Sequence, residues 1–175
     1  MNRRQLLFGL AGVTLTGGSA WIATQGLSTG SGLPVQIETV DAPGSNQGTI
    51  RVPVEDTVTV IDLFATWCTP CKAQMDVLAP VHERYADNDR VTFVSVTNER
   101  IGGTLSLDDI RDWWRQNDGH WTLGLDPDSS LMRILRANGL PYIAIAAADG
   151  TITWGERGIT KADPLRSEIE AALDQ

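Results

Sequence analysis

Val58-Thr59-Val60-Ile61-Asp62-Leu63-Phe64 is an apolar, β-branched run bounded by turn residues. That is the composition of a strand buried on both faces, as in a parallel sheet. Shortly after it comes Cys68-Thr69-Pro70-Cys71, which holds the only two cysteines in the chain and opens an amphipathic stretch. The thiols thus stand at the joint between a buried strand and an amphipathic helix. A thiol at a helix N-terminus meets the positive end of the helix dipole and free backbone N–H groups, so its thiolate is favoured. A second thiol one turn later can attack any mixed disulfide that the first one forms. The bland alternatives are two structural thiols or half a zinc site. Zinc takes four ligands, and the two histidines, His82 and His120, stand apart from any cluster.

The 175 residues suffice for one domain with a sizeable core. Fourteen basic residues stand against 22 acidic ones, for a formal net charge of −8. Such a surface repels phosphates and anionic headgroups, which sets nucleic-acid binding aside. Lys72 and Lys161 are the only lysines. An acidic, lysine-poor surface suits a high-salt solvent, although an ordinary acidic protein shows the same balance. Arg3 and Arg4 are the only charges before Glu38 and precede an uncharged stretch from Leu6 to Ala23. A basic start followed by an apolar region is an export signal or an N-terminal membrane anchor, assigned to residues 1–27, with the tether at residues 6–23; a buried N-terminal helix is the alternative. Asn2-Arg3-Arg4-Gln5-Leu6-Leu7 resembles a twin-arginine signal, the route of proteins exported folded, departing from it at Asn2 and Phe8. Residues 28–34 have linker composition, and the folded domain is expected over 35–175.

Within that domain, strands are expected at Val35–Val40, Thr49–Val54, Val58–Phe64, Val91–Thr97, Trp121–Leu125, Tyr142–Ala146 and Ile152–Trp154. Helices are expected from Cys71 to Tyr85, kinked at Pro80, then after Ser106, around Leu131–Leu135, and from an Asp163-Pro164 cap to Leu173. The order predicts a central mixed β-sheet with helices on both faces.

Phe64-Ala65-Thr66-Trp67-Cys68-Thr69-Pro70-Cys71-Lys72 after an apolar strand resembles the active site of the thioredoxin superfamily. Gly139-Leu140-Pro141, before a strand and an Asp149-Gly150 hairpin, resembles the cis-proline loop of these proteins. Together with the export signal and Leu125-Asp126-Pro127-Asp128, the wording is similar to the TlpA-like branch of exported thiol–disulfide oxidoreductases, and the resemblance covers residues 35–175. It implies a thioredoxin-like fold, Cys68 as nucleophile and Cys71 as the more buried resolving thiol. It also implies a substrate-facing surface at Trp67, Pro70, Leu140 and Pro141, with Pro141 cis and the Leu140 backbone beside Cys68 to pair with an extended peptide.

Asp62 is singled out by its residues first. A carboxylate in the middle of an apolar strand is costly to ionise, and its pKa should be raised unless it bonds a neighbouring group or reaches solvent at a sheet edge. The resemblance gives it a role, deprotonation of the resolving cysteine. Trp113, Trp114 and Trp121 are either a substrate surface or, at helical spacing, core. His82 reads as a surface or core histidine rather than a base, and Lys72 as a solvated helix residue or a source of local positive potential.

The expected activity is thiol–disulfide exchange on exported proteins, more in the reducing direction than the oxidising one, for example on apocytochromes. It needs an upstream electron donor and no organic cofactor or metal. Three alternatives differ from it in class. A peroxiredoxin-like peroxidase needs Pro-x-x-x-Thr/Ser-x-x-Cys, which the residues before Cys68 do not supply. A metal-delivery protein of the same fold needs C-x-x-x-C and a distant histidine. A non-catalytic binding module would not need reactive thiols.

Overall fold

The computed structural model describes residues 32–175. The export or anchor segment expected over residues 1–27, its possible tether at 6–23 and most of the linker lie outside the described residues. The described elements run β1 (Val35–Thr39), β2 (Gly48–Val52), β3 (Val58–Phe64), α1 (Thr69–Arg84), β4 (Val91–Thr97), α2 (Leu107–Gln116), β5 (Thr122–Leu125), α3 (Ser130–Ile134), β6 (Tyr142–Ala146), β7 (Ile152–Arg157) and α4 (Ala162–Leu173).

All seven strands join one sheet in the order β2-β1-β5-β4-β3-β6-β7. β3 pairs in parallel with β4, and β4 with β5. The remaining ladders are antiparallel. The expectation of a mixed sheet therefore holds, and β3, flanked by two strands on either side or more, is fully buried along its length. Its side chains alternate between two cores, as the period of a strand requires. Val58, Val60 and Phe64 enter a core built with α1, α2 and α4. Ile61 and Leu63 enter a second core, on the face that carries α3 through Leu131. Helices thus cover both faces. The same alternation sets Asp62 on the α1 face.

α1 buries Cys71, Gln74, Met75, Leu78 and Val81 along one side, and it continues through Pro80. Pro80 has no N–H to offer the preceding turn, so the helix crosses that point with one hydrogen bond fewer. α2 opens with a reciprocal cap, in which the Ser106 hydroxyl accepts from the Asp109 N–H and the Asp109 carboxylate accepts from the Ser106 N–H. α3 is short. Its first N–H groups are held by the buried Asp126 carboxylate, which accepts from Ser130 at 2.8 Å and from Leu131 at 2.9 Å.

α4 departs from the sequence expectation. Its N-cap is Lys161, and Asp163 and Pro164 lie inside the first turn. The Leu165 N–H already donates to the Lys161 carbonyl at 3.2 Å, so the turn closes before the Asp-Pro pair can act as its cap. Pro164 is tolerated there because first-turn N–H groups have no intrahelical partner. The three tryptophans resolve as core. Phe64 and Trp113 stack at 4.6 Å, and Trp114 meets Trp121 edge-on at 5.0 Å. Among the described residues no helix is long and apolar enough to cross a membrane.

Candidate active site

The strand-to-helix joint after β3 places both cysteines at the N-terminus of α1, where they form a disulfide with Cα atoms 5.3 Å apart. Cys68 is the N-cap residue, and its Sγ accepts the Cys71 N–H at 3.3 Å. Pro70 is exposed in the first turn, a position that needs no N–H donor. The helix start therefore aims free N–H groups and the positive dipole end at Cys68, the arrangement that favours a thiolate when the disulfide opens. Cys71 is the more buried of the two by a narrow margin, 1% exposed against 3% for Cys68. Trp67 is 73% exposed, an unusual place for a large aromatic side chain, and it adjoins Cys68. Lys72 is also exposed.

β6 brings the second half of the site. Its antiparallel register sets Leu63 opposite Tyr142. One further step places Pro141 beside Phe64, so the Leu140–Pro141 peptide and the Phe64–Cys68 turn leave the sheet at the same end. That peptide is cis, and Leu140 packs against the core cluster that contains both cysteines. The Pro141 carbonyl accepts the Gly158 N–H at 2.9 Å, which ties the proline loop to the segment after β7.

Asp62 is 2% exposed and does not reach solvent at a sheet edge. The parallel register sets it beside Ser95 of β4, whose hydroxyl donates to Asp62 Oδ2 at 2.8 Å. Asp62 Oδ1 has no hydrogen-bond partner among the described residues. Burial pushes its pKa up from 3.8 to about 7, and the Ser95 bond works in the other direction. Its carboxyl group lies on the face that also holds Cys71. His82 is half-buried against Phe93 and Trp121, with ring centroids at 5.2 and 4.9 Å, and desolvation and then His120 lower its pKa.

Three supports of the site were not read from the sequence. Glu99 accepts the Thr66 N–H at 2.6 Å and the Thr66 hydroxyl at 2.8 Å, and so holds the turn that leads into Cys68. Gln74, buried one turn beyond Cys71, accepts the Thr160 N–H at 2.6 Å and donates to the Thr160 carbonyl at 3.4 Å. Ser95 accepts the Trp121 indole N–H at 2.9 Å. Ser95 and Gln74 left a faint signal, Ser95 as a hydroxyl between Val94 and Val96 and Gln74 as the polar residue on the helix side that carries Cys71, Met75 and Leu78. Glu99 left none.

Comparison with known proteins agrees with this geometry. The Redoxin family model matches residues 30–173. A curated relative, the thiol:disulfide interchange protein CycY of Rhizobium leguminosarum bv. viciae, is 22% identical over 122 residues, which is 70% of this chain and 61% of that protein. The chain thus spans less than two thirds of that relative. The structure of StoA from Bacillus subtilis is similar with a TM-score of 0.62 at 19% identity, covering 77% of this chain and 96% of StoA. The exposed lipoprotein thioredoxin Etrx1 of Streptococcus pneumoniae is similar with a TM-score of 0.61 at 16% identity, covering 76% and 98%. These likenesses establish a thioredoxin-like fold. With a family model matched over most of its length and a disulfide at the start of the helix after the central strand of a thioredoxin-like fold, the chain belongs to the Redoxin family.

Proposed function

We propose that this protein is a thiol–disulfide oxidoreductase that acts on protein substrates outside the cytoplasm. The observation that carries the reading is the Cys68–Cys71 disulfide, closed at a helix N-terminus with Cys68 as the N-cap. The name of CycY, a thiol:disulfide interchange protein, supports the same class of reaction, and the exposed lipoprotein thioredoxin supports a site outside the cytoplasm. The export signal or N-terminal membrane anchor expected over residues 1–27 from Arg3-Arg4 and the uncharged stretch after them supports it too.

In the reducing direction, the Cys68 thiolate attacks one sulfur of a substrate disulfide, and the other substrate sulfur leaves and takes a proton. Cys71 then loses its proton to Asp62 and attacks Cys68 Sγ. The mixed disulfide breaks, the second substrate sulfur leaves as a thiolate that takes a proton from solvent, and the Cys68–Cys71 disulfide forms. A dithiol donor protein returns two electrons to close the cycle. Trp67, Pro70, Leu140 and Pro141 form the surface that meets the substrate, and the Leu140 backbone pairs with an extended segment of it as a strand does.

Trapping tests the reading. Cys71→Ser should accumulate mixed disulfides through Cys68, and the wild type should reduce insulin when supplied with a dithiol. Absence of both adducts and insulin reduction overturns it. The reduction potential of the couple decides direction: about −270 mV marks a reductant and about −120 mV an oxidant.

A further inference from the structure

We propose that Trp121 and Ser95 form a one-way hydrogen-bond pair that fixes Oδ1 of Asp62 as the oxygen that carries the proton. An indole N–H only donates, a hydroxyl donates once and accepts, and a carboxyl oxygen accepts unless it holds the proton. Trp121 Nε1 lies 2.9 Å from Ser95 Oγ, so Ser95 accepts there. The hydroxyl keeps a second lone pair, but its own buried hydrogen needs an acceptor, and the one that the described residues offer is Asp62 Oδ2 at 2.8 Å. Oδ2 therefore accepts. A proton placed on Oδ2 would face the Ser95 hydrogen, so the neutral acid must hold it on Oδ1, the oxygen with no partner among the described residues.

The surroundings favour this arrangement. Trp121, Ser95 and Asp62 are 4%, 0% and 2% exposed, so rearrangement toward water is not open to them. On β6, the residue opposite Asp62 is Ile143. From α1 the same core receives Cys71, Met75 and Leu78, and from α4 Leu165 and Ile169. Of these only Cys71 titrates, once reduced. Tyr85, at the end of α1, also belongs to this core, and its hydroxyl is bonded to Glu170 at 2.6 Å, while His82 lies against the Trp121 ring. Burial and the Ser95 bond are accordingly the two causes of the Asp62 shift.

Ser95 and Trp121 are positioning residues. They leave Oδ1 as the atom that takes the proton from Cys71, breaking S–H and forming O–H as the sulfur attacks Cys68 Sγ. That consequence rests on the oxidoreductase reading above, whereas the placement of the proton does not.

Difference infrared spectroscopy on the oxidised full-length protein tests the placement. The carbonyl band of protonated Asp62, identified by its loss in Asp62→Asn, should titrate near pH 7 in the wild type. Ser95→Ala removes the bond to Oδ2, so the band should move to higher frequency and its midpoint should rise. Ser95→Thr keeps the hydroxyl and should restore both. An unchanged band and midpoint in Ser95→Ala, or a Thr variant that behaves as Ala does, overturns the proposal. If the band responds as expected while Asp62→Asn exchanges thiols at the wild-type rate, the proton placement stands and the role of Asp62 in exchange fails.

Discussion

Both hydrogen-bond donors of Thr66, its N–H and its hydroxyl, end on the single carboxylate of Glu99, at 2.6 and 2.8 Å. Thr97 adds a third bond, its hydroxyl donating to Glu99 Oε2 at 3.0 Å. The carboxylate thus pins the turn between β3 and Cys68 to the end of β4. Bonds to a charged acceptor contribute about 1.5–3 kcal/mol each when partly shielded. Glu99→Ala should lower stability by about 2–3 kcal/mol and slow insulin reduction, and Glu99→Gln should recover part of both because one oxygen remains. Thermal unfolding and turnover of the two variants check this, and a fully active Glu99→Ala would show that the turn holds itself.

The Asp62 carboxyl makes stability depend on pH with a definite sign. Its folded pKa of about 7 exceeds the ordinary 3.8, so the folded protein holds this proton more tightly than the unfolded chain does. Its contribution is complete below pH about 4, falls as pH rises through the interval, and is lost above about 7, a change on the order of 4 kcal/mol. Asp62→Asn should therefore gain on the wild type from pH 4 to pH 8 in urea unfolding of the oxidised protein. A gap between the two proteins that stays constant across that range would contradict the burial argument.

Gln74 closes both hydrogen-bonding positions of the Thr160 backbone from inside the core. Gln74→Leu fills much the same volume and leaves a buried N–H and a buried C=O unpaired. The expected loss is about 2–4 kcal/mol. Because Gly158, two residues before Thr160, bonds the Pro141 carbonyl, the variant should also loosen the proline loop. Hydrogen exchange at Gly158 should quicken along with the fall in melting temperature; a lower melting temperature with protected Gly158 would confine the effect to packing.

Trp67 contributes little to the folded core, since most of its ring is exposed. Trp67→Ala should change stability by no more than about 0.5 kcal/mol. In the proposed function its cost falls on protein substrates: KM for insulin should rise, while the reaction with a small aliphatic disulfide stays near the wild-type rate. Equal losses on both substrates would argue for a direct effect on Cys68 instead.

The parts of the fold that were readable are those written locally. The β3 run, the cysteine pair, the Ser106 cap and the Asp149-Gly150 turn each occupy a few adjacent residues. The Asp62 carboxylate was visible as a polar residue in an apolar strand. Its partner was not, because Ser95 becomes its neighbour only through the parallel register of β3 and β4. Glu99 and Gln74 were hidden for the same reason, as their partners are fixed by the way strands and helices assemble. The Asp163-Pro164 cap failed on the opposite ground: the local pattern was sound, but the helix begins earlier, at Ala162, where Leu165 can close a turn on Lys161.

The order of the sheet also bears on how the protein behaves when crowded. Its margins are β2 and β7, each bonded to one neighbour within the described chain. Free margins invite the edge-to-edge stacking of copies that ends in aggregates. β2 is only five residues long, starts at Gly48 and exposes Arg51. β7 exposes Glu156 and Arg157 at its end, and its register slips beside Ala146. Short length, charge and an irregular ladder make both margins poor templates for a second copy, so a protein proposed to pair with extended segments of other chains is discouraged from adding its own.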